Sequence, residues 1–182
     1  MCIRDSMEVG QPGTPAPSGA IRELTKKMNS ESLGYTVALG IPELRKKISS
    51  LYKQWYGLDI NPDRVIITSG SSGAFILAFT ALFDTSDKVG IGAPGYPSYK
   101  QILRALDIEP VIIETNLENK FQISPNSINN QELNGILVAS PANPTGSMLD
   151  SNQLTQLIKK CHDNSISFIS CLLYTSDAAD DS

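Results

Sequence analysis

Short β-branched or apolar runs alternate with helix-period stripes along most of this chain, and that alternation limits the fold more than any other feature. Val65–Thr68, Lys88–Gly92, Val111–Glu114, Gly135–Ala139 and Ile166–Ile169 each have strand length and strand chemistry. Ala74–Phe83 is apolar on nearly all sides and reads as a buried helix. Tyr99, Ile102, Leu103 and Leu106 line one face of a second helix. Leu154, Leu157, Ile158 and Cys161 line one face of a third, which Asp150 or Ser151 can cap. Strands that alternate with helices predict an α/β fold, a mostly parallel sheet flanked by helices, with right-handed crossovers.

The residues before this region follow another pattern. Residues 9–19, "VGQPGTPAPSG", are rich in proline and glycine and predict an extended arm. Ile21, Leu24 and Met28 then fall at helical spacing. After the loop "LGYTVALG", Pro42 suits the first turn of a helix whose stripe is Leu44, Ile48, Leu51, Tyr52 and Trp55, and Gly57 is a natural stop. Both ends of the chain resemble translated sequencing-adapter sequence. Residues 1–6 and 171–182 are therefore expected to be artefact-like tails, and the second begins while the alternation of Ser165–Ser170 is under way.

Bulk properties narrow the function classes. The net charge of −4 predicts no basic nucleic-acid face, and no stretch has the length of a membrane-spanning helix. The three cysteines, Cys2, Cys161 and Cys171, have no metal-ligand spacing and predict a reducing, cytoplasmic setting. His162, the single histidine, falls on the polar side of a helix end and reads as a solvated residue that complements the helix dipole.

Three unusual loops follow three of the predicted strands, where ligands of open α/β sheets bind. "TSGSSGAF" follows Val65–Ile67, "APGYPSY" follows Val89–Ile91 and "SPANPTG" follows Ile136–Ala139. In the first, Gly70-Ser71-Ser72-Gly73 opens directly into a helix, so free N–H groups and two hydroxyls suit a phosphate. It equally suits a tight turn with serine caps. In the second, Tyr96 sits between Gly95 and Pro97, either as a ring that stacks on a planar ligand or as core. In the third, Pro141 and Pro144 restrict the backbone on both sides of Asn143. A turn needs no second proline, so this frame points to an amide held ready for a ligand oxygen.

A phosphate cup, a stacking ring and a fixed amide describe a pyridoxal phosphate pocket. With "GYTVALGIPELRKKI", the three loops resemble blocks of the class I/II (fold type I) aminotransferases, in that family's order, over roughly residues 8–170. The resemblance implies transfer of an amino group between an amino acid and a 2-oxo acid, with pyridoxal 5'-phosphate as cofactor and a homodimer as the working assembly. It implies that Asn143 donates to the cofactor's 3-oxygen, that Tyr96 stacks on its ring, and that Gly70, Ser71 and Ser72 hold its phosphate. Tyr35 would reach the phosphate of the neighbouring subunit, and Gly10 would lie near the substrate carboxylate. It also implies an N-terminal arm and the start of a small domain over 7–40, and part of a cofactor-binding large domain over 41–170. The family's Asp-Glu-x-x-Tyr-like block and Schiff-base lysine have no counterpart here, and none of the lysines lies in a matching motif, so no catalytic residue is assigned. Alternatives are a lyase or synthase that uses the same cofactor, and a pyridoxal phosphate-binding regulatory domain.

Overall fold

The computed structural model describes residues 14–172 except 33 and 130. The chain divides into two compact units, Met1–Val65 and Ile66–Ser182. In the first, α1 spans Ser18–Ser30 and α2 spans Pro42–Tyr56. Pro42 stands in the first turn of α2, and Gly57 closes it at φ 67°, a left-handed conformation that glycine adopts without a Cβ clash. The predicted stripe of α1 is present but uncovered: none of its residues is buried, and Ile21, Leu24 and Met28 stay exposed. Arg45 of α2 is buried, and its Nε donates to the Val65 carbonyl at 2.8 Å and its Nη2 to Asp63 Oδ1 at 3.0 Å.

The second unit opens with α3 (Gly70–Leu82) and continues β1 (Lys88–Ala93), α4 (Pro97–Ala105), β2 (Glu109–Glu114), β3 (Gly135–Ala139), α5 (Ser151–Asp163) and β4 (Ser167–Cys171). The four strands form one sheet in the order β2-β1-β3-β4, every pair parallel. Alternation along β3 sends its side chains to two cores. Leu137 joins Val89, Ile91, Phe75, Phe79, Tyr99 and Leu103, whereas Ile136 and Val138 join Ile113, Leu157 and Cys161. Thus α3 and α4 cover one face and α5 covers the other, as the α/β reading requires. Each large side chain fully withdrawn from water, such as Phe79, Leu103 or Leu157, contributes about 1.5–3 kcal/mol.

Three expectations change. Val65–Thr68 is not a strand. A strand exists only by pairing, and the described sheet closes its ladders without this segment, while the Val65 carbonyl accepts from Arg45. The helix expected to be buried on all sides is buried on one: Phe75 and Phe79 face the core, but Ile76, Leu77 and Leu82 are each about half exposed, at 46%, 52% and 48%. Finally, β4 extends past Ile169 to Cys171, which pairs with Ala139 and is buried. Its apolar thiol side chain fits the α3–α4 core, so the pairing runs into the segment expected to be a tail.

Candidate functional site

The order β2-β1-β3-β4 places a change of direction in the middle of the sheet. From β1 the chain returns to β2 on one side, and from β3 it returns to β4 on the other. At such a switch point the connections diverge and leave a crevice beyond the carboxyl ends of the two central strands. A cleft lies there, lined by Gly92, Pro94 and Gly95 at and after the end of β1, by Ala139, Ala142 and Asn143 at and after the end of β3, and by Tyr99 and Gln122. Its enclosed volume is about 30 Å³, so it can support one face of a ligand and does not surround one.

Local chemistry builds each wall. Gly95 is required by close approach: a Cβ there would run into the Gly92 carbonyl oxygen. This lets the chain turn sharply out of β1 and present Tyr96, which is half-buried and packs edge-on against Tyr99 with ring centroids 5.4 Å apart. Tyr99 in turn meets Phe75 of α3 at 5.0 Å. The opposite wall is a loop closed on itself. Gly146 N–H donates to Ala142 O at 2.7 Å, Ala142 N–H to Ser147 O at 2.9 Å, and Leu149 N–H to Ser140 Oγ at 3.0 Å. The peptide bonds before Pro141 and Pro144 are cis. Asn143 stands inside this closed turn, half-buried, and its carboxamide makes no hydrogen bond to any described residue.

The predicted site residues separate into groups. Asn143 lines the switch-point cleft. Ser72 lines a different depression, of about 300 Å³, together with Pro97, Ser98 and Gln101. Tyr96 lines neither of these; it lies on the chain between them and leans on Tyr99, which lines the first. Gly70 and Ser71 occupy the start of α3, where no side chain caps the helix and Gly70 has φ 80°. Tyr35 is fully exposed and belongs to the first unit. Gly10 lies outside the described residues.

Two cleft residues escaped the sequence reading. Gln122 is buried, and its Nε2 donates to Ala139 O at 3.1 Å, Ser147 O at 2.8 Å and Ser147 Oγ at 3.2 Å. Nothing in "ENKFQIS" marks that glutamine, because its partners lie some 20 residues away. Tyr99 was placed on a core stripe, which is correct but incomplete. Among the described residues, those lining the cleft include no carboxylate, amine, guanidinium or imidazole. Such a surface can orient and stack a ligand, and it offers no group suited to moving a proton near neutral pH. Among the described residues the one perturbed titration lies elsewhere: burial pushes the Cys161 thiol up, against a smaller opposing effect of Lys160.

Comparison with known proteins gives this architecture its class. Residues 7–170 match the family Aminotransferase class I and II, and the chain belongs to that family, whose members use pyridoxal phosphate. It is 40% identical over 171 residues to the valine–pyruvate aminotransferase of Mycobacterium tuberculosis, covering 93% of this chain and 44% of that protein. The crystal structure of an aminotransferase from the same organism superposes with a TM-score of 0.86 at 41% identity, over 89% of this chain and 45% of the other. Aspartate aminotransferase from Thermus thermophilus, solved with maleate, superposes with a TM-score of 0.83 at 25% identity, over 89% and 43%. The chain thus spans less than half the length of the relatives it matches. No helix among the described residues is long and apolar enough to cross a membrane.

Proposed function

We propose that this chain forms the cofactor-cradling part of an enzyme that transfers an amino group between an amino acid and a 2-oxo acid, and that the 182-residue chain alone does not turn over. The observation that carries this reading is Asn143: an amide with no hydrogen-bond partner among the described residues, on a closed turn at the switch point of a parallel sheet. When bound, pyridoxal phosphate supplies the electron withdrawal that acidifies the Cα–H of an amino acid. Asn143 donates to its 3-oxygen, and because the turn is already fixed, little ordering entropy is lost on binding. Tyr96 stacks on the ring, held upright by Tyr99. Gly70, Ser71 and Ser72 offer backbone and hydroxyl donors to the phosphate at the uncapped start of α3, where the helix dipole favours an anion. In a homodimer Tyr35 reaches the phosphate of the second subunit, and Gly10 lies near the substrate carboxylate.

The cleft lining has no proton carrier, and no lysine of the chain lies in a Schiff-base motif, so these residues bind and orient but do not carry out the proton transfer. Among the described residues Cys161 and Cys171 are free thiols, which supports a cytoplasmic setting. Two measurements on the purified chain test the reading. First, keto-acid exchange is followed with pyridoxal phosphate, a panel of amino acids and 2-oxoglutarate or pyruvate. No multiple turnover is expected, and turnover abolished by Asn143→Ala would show that the chain carries its own catalytic group. Second, 4-deoxypyridoxine 5'-phosphate, which has the ring, 3-oxygen and phosphate but no aldehyde, is titrated against wild type and Asn143→Ala. Loss of one hydrogen bond to a charged oxygen should cost about 1.5–3 kcal/mol. Equal binding by the two would refute the role of Asn143.

A further inference from the structure

We infer that Gln122 is a positioning residue for the cofactor-binding amide: it fixes Asn143 through the carbonyl of Ser147. The inference rests on the role proposed for Asn143 above. The linkage is continuous. Gln122 Nε2 donates to Ser147 O at 2.8 Å, and the same carbonyl accepts the Ala142 N–H at 2.9 Å, directly before Asn143 in the chain. The Gln122 amide also reaches Ala139 O, at the last residue of β3, at 3.1 Å. One side chain therefore ties the returning arm of the turn to the rigid end of the strand from which the turn departs. Two backbone carbonyls beside one nitrogen fix which end of the amide points there, because a carbonyl oxygen in that place would face two acceptors and no hydrogen between them.

The backbone leading to Gln122 supports a purpose beyond filling space. Lys120 and Phe121 are successive non-glycine residues at φ 54° and 55°, a conformation disfavoured for residues with a Cβ. Such conformations persist where the surroundings over-determine them, and they gather around ligand sites. Here they turn the chain inward, so that Phe121, Gln122 and Asn143 line the same cleft. A buried glutamine that served packing alone would be replaceable by methionine, which has similar length and no donor.

The test uses the 182-residue chain as wild type, Gln122→Met, Asn143→Ala and the double variant. Two readouts are taken: amide hydrogen-exchange protection at Ala142, Gly146 and Leu149, and the affinity for 4-deoxypyridoxine 5'-phosphate followed on the backbone amide resonances. Gln122→Met is expected to lower protection in the 142–149 turn at least tenfold while that of Ile136–Val138 holds, and to weaken the ligand about tenfold. In the Asn143→Ala background the same substitution should change affinity less than twofold, since it acts through the amide. An equal weakening in both backgrounds, or an unchanged affinity of Gln122→Met beside a weakened Asn143→Ala, overturns the inference alone. Unchanged affinity in both single variants overturns the Asn143 reading and this one with it. Should Gln122→Met fail to fold, Gln122→Glu serves. Its carboxyl donates only when protonated, so protection at Ala142 should recover on acidification, and protection that stays low at every pH overturns the inference.

Discussion

Gly135 opens β3 beside the ring of Phe83, and a methyl group placed on it would penetrate that ring. The ring belongs to the core beneath α3, so it has no free space into which to withdraw. Gly135→Ala should therefore cost about 1–3 kcal/mol, as overpacked cores do. In a Phe83→Leu background the penalty should shrink, and additive losses in urea titrations would show that the two positions do not collide. At this scale the sequence was legible where a residue type carries its own constraint. The two prolines around Asn143 marked a constrained turn, which backbone hydrogen bonds close on either side of that residue. Gln122 carried no such mark, since its three acceptors are brought to it only by tertiary folding. The sequence puts Ser72, Tyr96 and Asn143 in one pocket, whereas Ser72 and Asn143 line separate depressions and Tyr96 lines neither, because loop order along a chain does not set which loops share a depression.

The start of α5 shows how an element announces itself. Asp150 accepts from the Gln153 N–H at 2.8 Å, and Gln153 reaches back to the Asp150 N–H at 3.2 Å. This reciprocal pair satisfies two donors that the first turn leaves over. Asp150→Ala should cost about 1 kcal/mol, read as a lower urea midpoint at unchanged slope. A loss confined to the noise would mean that Ser151 takes over the cap. The cap, Pro42 in the first turn of α2 and the stripe of Tyr99 and Leu103 made the helices legible from the chain alone. Four of the five expected strands find a partner in the described sheet, the edge strands β2 and β4 included. Val65–Thr68 failed because β-branched composition states a preference and pairing needs a partner. The half-exposed α3 failed for a related reason: an all-apolar helix tells how much it could bury and not how much is covered.

Across the whole molecule, uncovered apolar side chains are the main physical liability. Ile76, Leu77 and Leu82 in the second unit and Ile21, Leu24 and Met28 in the first expose surface of the kind that drives association. Light scattering should show concentration-dependent assembly that Leu77→Glu reduces, and a strictly monomeric wild type would contradict this. Alkaline pH should also loosen the fold. Burial raises the Cys161 thiol, so the unfolded chain loses that proton at lower pH than the folded one. This contribution to stability is complete below the unfolded thiol's ordinary range and is lost as pH rises through and above it. Cys161→Ala should flatten the decline between about pH 8 and 10, and an identical slope in both proteins would assign it to other groups. The position of the cleft along the chain has a consequence for biosynthesis. All its lining residues fall between Gly92 and Asn143. A ribosome has delivered both walls of the crevice before it begins β4, and domains tend to fold as units as they emerge. Because β4 pairs with every residue of β3, the crevice gains its backing only when that later strand has followed it out, so its surface is completed from behind as the polypeptide grows.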